Sequence, residues 1–168
     1  MRYSISLRLG VALSMAIAIG AVSAEEKGYV QTRSLSMGLA AKLALEAAND
    51  CTGKGYQVAV AVVDRTGNLL ALVRNPLAGH HTIEVSQRKA YTAATYQTPT
   101  SALRESQHLR FTPNVILLGG GLPIRVGGQF YGAVAVSGAP ARKVAGDEDE
   151  ACARTGIEKI RETLEFAD

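Results

Sequence analysis

The sequence is poor in aromatic residues. It contains no tryptophan, and its aromatic fraction is only 5%. The hydrophobic core must therefore be built from alanine, valine, leucine and isoleucine. The chain has 168 residues, of which 47% are hydrophobic and 20% are charged, as in ordinary globular proteins. This length is enough for one domain with a real core, and the absence of repeats and long linkers favours a single domain.

Several common catalytic and cofactor motifs are also missing. The run Gly119, Gly120 and Gly121 is not followed by the lysine and hydroxyl residue of a phosphate-binding loop. It leads into a predicted strand rather than a helix, so it also fails the dinucleotide-binding fingerprint. There is no nucleophile elbow, no zinc-ligand pattern and no convincing acid–base set. The motifs therefore indicate binding more strongly than catalysis, and enzymatic activity stays open.

The N-terminus has the layout of a secretory signal peptide over residues 1–24. Arg2 and Arg8 form a positive region, an apolar run follows, and small residues up to Ala24 form a cleavage site. The alternative is a membrane anchor, but the apolar run is shorter than the roughly 20 residues that a span needs. We therefore expect a mature domain over residues 25–168, in the periplasm or secreted, with no membrane span.

The net charge is small for a chain of this size. The formal value is +3, and loss of the two arginines of the signal peptide lowers it to about +1. Such a chain has no strongly basic surface, which argues against a nucleic-acid partner.

Two cysteines, Cys51 and Cys152, lie in the mature chain. An oxidising compartment permits a disulfide between them, which would close a loop of about 100 residues. The alternative is a pair of buried free thiols, because unpaired cysteine packs like a small hydrophobic residue. Both alternatives remain open, because the sequence does not determine the distance between the two Cα atoms.

Hydrophobic periodicity predicts nine elements in the order α-β-β-α-α-β-β-β-α. Helices are predicted over residues 35–50, 82–96, 100–107 and 147–166. Strands are predicted over residues 56–63, 69–73, 114–118, 123–126 and 129–137. Turn residues at 64–68 and the pair Gly127 and Gly128 predict two hairpins. We therefore expect an α+β domain with a mostly antiparallel sheet of about five strands, flanked by helices.

Four motifs in this order resemble the GlcG/HbpS family of haem-binding proteins. They are VAVVDRTGNLLALVR, SQRKAYTAAT, GGGLPIRVGGQFYGAVAVSGA and a terminal helix that begins with acidic residues. The family is related to the C-terminal domain of PduO-type cobalamin adenosyltransferases, whose catalytic domain has no counterpart here. The resemblance covers roughly residues 35–160. It implies a profilin-like or PAS-like fold, a homo-oligomer, and haem or another small flat ligand as partner.

His80 and His81 are the candidate metal ligands, since neutral imidazole commonly binds haem iron. Both lie where a loop enters a predicted helix. Adjacent histidines usually diverge, so at most one should face a pocket. The alternative is a solvated loop. Two arginines, Arg104 and Arg110, flank the third histidine, His108. They could pair with a haem propionate or lie in an exposed turn.

The remaining candidate haem-binding residues border an expected pocket between this helix and residues 119–123. They are Tyr91, Lys89, Gly119, Gly120, Gly121 and Pro123. The tyrosine would bind iron or pack on the sheet. The lysine would bind an acid group of the ligand, or would be a buried partner of Asp64 or of a carbonyl. The glycines lack Cβ atoms and would let the backbone approach a flat molecule.

Taken together, these features predict an exported haem-binding protein that acts as a carrier, a store or a sensor accessory. Two alternatives remain, namely an enzyme that acts on haem or on a small metabolite, and an oligomeric interaction protein. The acidic residues 147–150 would complement a helix dipole or, alternatively, bind a peripheral cation.

Overall fold

The computed structural model describes residues 28–167, and the predicted signal peptide lies outside them. All regular elements belong to one compact unit that begins at Thr32. The helices are α1 (Met37–Gly53), α2 (His81–Tyr96) and α3 (Asp147–Glu165). The strands are β1 (Ala59–Val63), β2 (Leu69–Arg74), β3 (Gly121–Val126) and β4 (Gln129–Ser137). Two short 3₁₀ helices, Thr100–Leu103 and Gln107–Phe111, lie between α2 and β3.

The strands form one antiparallel sheet in the order β2-β1-β4-β3. Strand β1 is central and buried along its whole length, as its nearly continuous β-branched run predicts. In its register Val62 lies opposite Ala71 of β2 and Val134 of β4. The predicted α+β class with an antiparallel sheet and flanking helices is confirmed, with four strands in the described residues.

The predicted strand over residues 114–118 is the one that does not form. The N–H of Val115 donates to the carbonyl of Thr112, and the N–H of Ile116 donates to the hydroxyl of Thr92 on α2. Because these groups bond to a turn and to a helix side chain, they do not pair with a neighbouring strand. The apolar run is therefore extended chain beside α2.

Each face of the sheet packs on different helices. Valines of β1 and β4 and apolar residues of β3 face α1 and α3 in the larger core. The other face carries Ala61, Ala133 and Ala135 against Ala90 and Ala93 of α2. Alanine on both surfaces lets α2 lie close to the sheet, which leaves its outer side free to line surface clefts. In the described part, no helix is both long and apolar enough to cross a membrane.

A disulfide joins Cys51, near the end of α1, to Cys152 in α3. Both residues are fully buried, and their Cα atoms are 5.6 Å apart. Of the two alternatives that the sequence left open, the structure contains the bridge. It connects the two helices that cover the same face of the sheet.

The loop before α3 folds around Asp147, the first residue of that helix. Its carboxylate accepts hydrogen bonds from the backbone N–H groups of Lys143, Arg142, Val144 and Glu148. These bonds, above all the one from Lys143, hold the pKa of Asp147 well below its ordinary value. The acidic residue thus anchors the start of the helix, where a negative charge is also favoured by the dipole.

Candidate functional site

A surface cleft of about 250 Å³ lies between α2 and the β1–β2 turn. Its lining combines apolar and polar side chains: Val63, Gly67, Leu69, Glu84, Gln87, Arg88, Tyr91 and Asn114. Glu84, Arg88 and Tyr91 lie four and three residues apart, which places them on one side of the helix. We call this the tyrosine cleft.

Tyr91 lies directly against the β1–β2 turn. A Cβ atom on Gly67 would lie 2.7 Å from Cδ2 of the tyrosine ring, and the φ angle of this glycine is +88°. The turn is held by Asp64, whose Oδ1 accepts from the N–H groups of Thr66 (2.8 Å) and Asn68 (2.9 Å). Burial alone would raise the pKa of Asp64, but the hydrogen bonds from Thr66 and Asn68 outweigh it and lower the pKa.

A second cleft of about 370 Å³ lies on the neighbouring side of α2, and Arg88 lines both clefts. It is lined by Arg88, Arg104, Gln107, Arg110, Val115, Ile116, Leu117 and Leu118. Arg88 donates from Nη2 to the carbonyl of Val115 at 3.1 Å, and its Nη1 lies 3.6 Å from Glu84. We call this the arginine cleft.

His80 and His81 are exposed at the start of α2. The ring of His81 lies against Gly79, where a Cβ atom would come within 2.7 Å of its Cε1. In the described part of the chain, no group of three or more histidine, cysteine, aspartate or glutamate residues is placed to hold a metal ion. A role for either histidine as an iron ligand stays a prediction.

Lys89 is not presented to a ligand in this structure. It is 3% exposed, and its Nζ lies 2.7 Å from Oδ2 of Asp149 and 3.0 Å from the carbonyl oxygen of Val136. The predicted carbonyl partner is therefore present, but the carboxylate partner is Asp149 on α3 rather than Asp64. Burial and pairing engage the ammonium group in this structure, and a role of Lys89 in ligand binding stays a prediction.

The three glycines line neither of the two clefts, and their role as a ligand wall stays a prediction. All three are buried, and Cβ atoms on Gly120 and Gly121 would lie 2.9 Å from Nζ and 2.6 Å from the carbonyl oxygen of Lys89. A Cβ atom on Gly119 would lie 2.7 Å from Nη2 of Arg104. At Gly120 and Gly121 the missing side chains let the backbone approach Lys89 of α2, and at Gly119 they leave room for Arg104 and for the backbone of Ala145. Pro123 lies in edge strand β3, opposite Ala133 of β4, and lines neither cleft.

Comparison with known families decides the family of this protein. The family described as haem degrading protein HbpS-like matches residues 35–158. The chain belongs to this HbpS-like family. Protein GlcG of Escherichia coli K12 is 34% identical over 108 residues, which cover 61% of this chain and 81% of GlcG.

Solved structures agree with the HbpS-like assignment. The crystal structure of HbpS is 35% identical with a TM-score of 0.74, and the match covers 83% of this chain and 99% of HbpS. The crystal structure of a PduOC:heme complex has a TM-score of 0.65 at 24% identity, covers 74% of this chain and 94% of PduOC, and shows the shared fold. The predicted GlcG/HbpS family is confirmed, and the fold is shared with PduOC.

In this HbpS-like chain, the predicted site residues do not all meet in one place. Of the predicted haem-binding residues, which all lie in the described part of the chain, Tyr91 alone lines the tyrosine cleft or the arginine cleft. The clustering of three arginines was not predictable from the sequence, because their side chains come from α2 and from the segment after it. The spacing of Glu84, Arg88 and Tyr91 was the available signal for the tyrosine cleft, since it places them on one helix side.

Proposed function

We propose that this protein is an exported haem-binding protein that carries or stores haem or serves as a sensor accessory. The observation that carries the proposal is the family match over residues 35–158. The likeness to HbpS, at 35% identity over nearly the whole HbpS chain, supports it. The crystallised heme complex of PduOC, a relative in fold, gives further support.

The outer side of α2 fits such a ligand. Haem is a flat apolar disc with two carboxylates on one edge, so it needs an apolar surface with a few placed polar groups. Leu69, which is 48% exposed, and the ring of Tyr91 provide apolar surface in the tyrosine cleft. Arg88 adds a guanidinium group at the border with the arginine cleft. The two clefts, about 250 and 370 Å³, together reach the size range of ligand sites.

His80 and His81 complete the proposed site as candidate iron ligands. They precede Glu84 by four and three residues, so helical spacing places one of them toward the side of α2 that carries Glu84 and Arg88. Bound haem would supply an iron centre, and the neutral imidazole of either histidine could hold that iron. The exposure of both rings leaves their nitrogens accessible.

Titration of the purified protein with hemin tests this function. We expect a shifted Soret band that saturates at a fixed stoichiometry, and weaker binding in Tyr91→Ala and in one of the two variants His80→Ala and His81→Ala. His108→Ala is the matched control, because this exposed histidine lines neither cleft. Failure of the wild-type protein to shift the Soret band would reject haem binding.

Haem degradation is the second candidate, and the description of the matched family favours it. It differs from carriage in being catalytic. Incubation of the protein with excess hemin, a reductant and oxygen would then give protein-dependent loss of the Soret band over many turnovers. A carrier would instead keep a stable spectrum at stoichiometric occupancy.

We further propose a periplasmic or secreted location. The signal-like residues 1–24 support it, and so does the Cys51–Cys152 disulfide, because such bonds persist in oxidising compartments. Cell fractionation followed by mass spectrometry tests this, with a mature N-terminus at Glu25 as the expected result. A full-length chain in the cytosol would contradict it.

A homo-oligomer is the proposed state of assembly. Three large apolar side chains, Met37, Leu77 and Phe111, are each at least 80% exposed, and such surface favours a partner. Light scattering coupled to size exclusion should give a mass that is a multiple of the single chain. A mass equal to one chain at micromolar concentration would refute the proposal.

A further inference from the structure

We infer that the arginine cleft is a binding site for the carboxylates of an organic dicarboxylic acid. Three guanidinium groups, those of Arg88, Arg104 and Arg110, line one cavity of about 370 Å³. No aspartate or glutamate is among the described residues that line it. Since a guanidinium group matches a carboxylate with two parallel N–H donors, this cavity has the chemistry to bind carboxylates.

The three arginines retain unused donors. Each guanidinium carries five N–H groups. Within the described residues, Arg110 forms no hydrogen bond or ion pair, and Arg104 donates to the backbone carbonyl of Ala145. For comparison, Arg161 on α3 is held by Glu158 through two hydrogen bonds of 2.6 and 2.7 Å. Within the described residues, the one ion pair among the three arginines joins Arg88 to Glu84 at 3.6 Å, and Arg104 also borders a neighbouring cleft that Asp147 and Glu150 line.

The backbone of the residues that line the cleft supplies further hydrogen-bond donors without acceptors in the described structure. In the extended segment that lines the cleft, the N–H groups of Leu117 and Leu118 have no hydrogen-bond acceptor among the described residues. Arg88 is meanwhile held in place by the carbonyl of Val115 and remains 39% exposed at its side chain. The residues that line the cavity therefore include one positioned guanidinium group, two further arginines and two residues whose backbone N–H groups have no acceptor among the described residues. An anionic ligand therefore forms stronger hydrogen bonds with these donors than a neutral or cationic ligand does.

The carboxylates can come from two sources, a free dicarboxylate or the propionate edge of haem. Only the second source rests on the proposed function. Because Arg88 lines both clefts, a flat ligand in the tyrosine cleft would reach the arginine cleft through its acidic edge. The shared chemistry is a pair of carboxylates on a small organic molecule.

Isothermal titration of the purified, disulfide-bonded protein with succinate forms the first arm of the test. We expect saturable binding that Arg110→Gln weakens at least tenfold. Arg110 is exposed and unpaired in the described structure, so this change should leave the circular dichroism spectrum intact. Arg161→Gln is the control, since it removes one arginine far from the cleft lining, and it should leave binding unchanged.

Hemin and its dimethyl ester form the second arm. If the carboxylates belong to haem, Arg110→Gln weakens hemin binding at least tenfold but leaves binding of the uncharged diester unchanged. Absence of succinate binding together with unchanged hemin affinity in Arg110→Gln overturns the inference, and so does succinate binding that Arg110→Gln does not alter. Succinate binding that depends on Arg110, in a protein that binds neither hemin nor its ester, would refute the proposed function and leave the inference standing.

A second copy of the chain is the alternative occupant of the cleft. Light scattering on the same variants detects it. If Arg110→Gln changes the oligomeric mass while both ligand affinities stay as in the wild type, the arginines serve an interface and the inference is wrong.

Discussion

The buried ion pair between Lys89 of α2 and Asp149 of α3 allows a sharp test of what links these helices, which cover opposite faces of the sheet. The lysine is 3% exposed, its Nζ lies 2.7 Å from Oδ2 of the aspartate, and Oδ1 accepts the N–H of Ala139 at 2.9 Å. The change Lys89→Met keeps a side chain of similar length but leaves a buried carboxylate without its cation. Removing one partner of such a pair costs about 3–5 kcal/mol of unfolding free energy.

A second change should reverse part of this loss. In the wild type, Asp149→Asn leaves the ammonium of Lys89 buried without a counter-charge, so it is destabilising. In the Lys89→Met background the same change removes the isolated negative charge, while the amide oxygen still accepts from Ala139. The double variant should therefore be more stable than Lys89→Met alone.

Urea unfolding followed by far-ultraviolet circular dichroism provides the measurement. For a chain of this size the slope is about 1–3 kcal/mol per molar urea, so Lys89→Met should lower the midpoint by about 2 M. Burial raises the pKa of Asp149, and loss of the lysine raises it further. A raised pKa means that the folded state binds the proton more tightly, so the deficit of Lys89→Met should shrink as the pH falls from 8 to 5.

Simple additivity would refute the reasoning. If the double variant loses the sum of the two single losses, the charges do not interact in the folded state. The exposed pair Arg161 and Glu158 provides the control, because neutralising an exposed ion pair should cost no more than about 1 kcal/mol.

Three further predictions follow from other contacts. The disulfide between α1 and α3 spans a sequence separation of 101 residues and contributes up to about 4.7 kcal/mol to the unfolding free energy. A phosphine reductant should therefore lower the melting temperature of the wild type but not that of a double cysteine-to-alanine variant. Gly120→Ala should lower the unfolding free energy by at least about 2 kcal/mol, because the φ angle of Gly120 is +117° and the new Cβ atom would lie 2.9 Å from the buried ammonium of Lys89. Gly38→Ala in α1 is the control. Its Cβ atom would meet nothing within 4 Å, so it should change the unfolding free energy by less than about 1 kcal/mol. The pKa of Asp147 is lowered, chiefly by the N–H of Lys143, so its contribution to folding stability is complete above the ordinary pKa of 3.8 and is lost as the pH falls below it. Asp147→Asn should therefore flatten the acid side of a profile of stability against pH. An unchanged profile would contradict this.

Local features were predictable because the residues that determine them are neighbours in sequence. Asp64 holds the first hairpin turn through bonds to residues two and four positions later. Gly127 and Gly128 adopt φ angles of +56° and +75°, as the second hairpin needs. The limits of α2 and α3 differ from the predicted ones by one residue at most.

Long-range contacts account for the errors. The apolar segment 114–118 has the composition of a strand, yet the N–H of Ile116 donates a hydrogen bond to the hydroxyl of Thr92 on α2. Lys89 was predicted to pair with a ligand, with Asp64 or with a carbonyl; the carbonyl partner is present, but the carboxylate partner lies 60 residues away on α3. In both cases a polar group takes the acceptor or donor that folding brings near, and sequence distance has no part in that choice.

The fold and the candidate site likewise combine features that local sequence determines with features that depend on long-range contacts. The amino-acid sequence alone determined the α+β class, the two hairpin turns and, through its motifs, the GlcG/HbpS family, because these depend on periodicity and on residues close along the chain. Only the tertiary structure decided that Gly120 and Gly121 pack on Lys89 of α2 and that Cys51 meets Cys152. It also decided that three arginines share one cleft. Those outcomes depend on which surfaces come within a few ångströms of each other once the sheet and helices have packed.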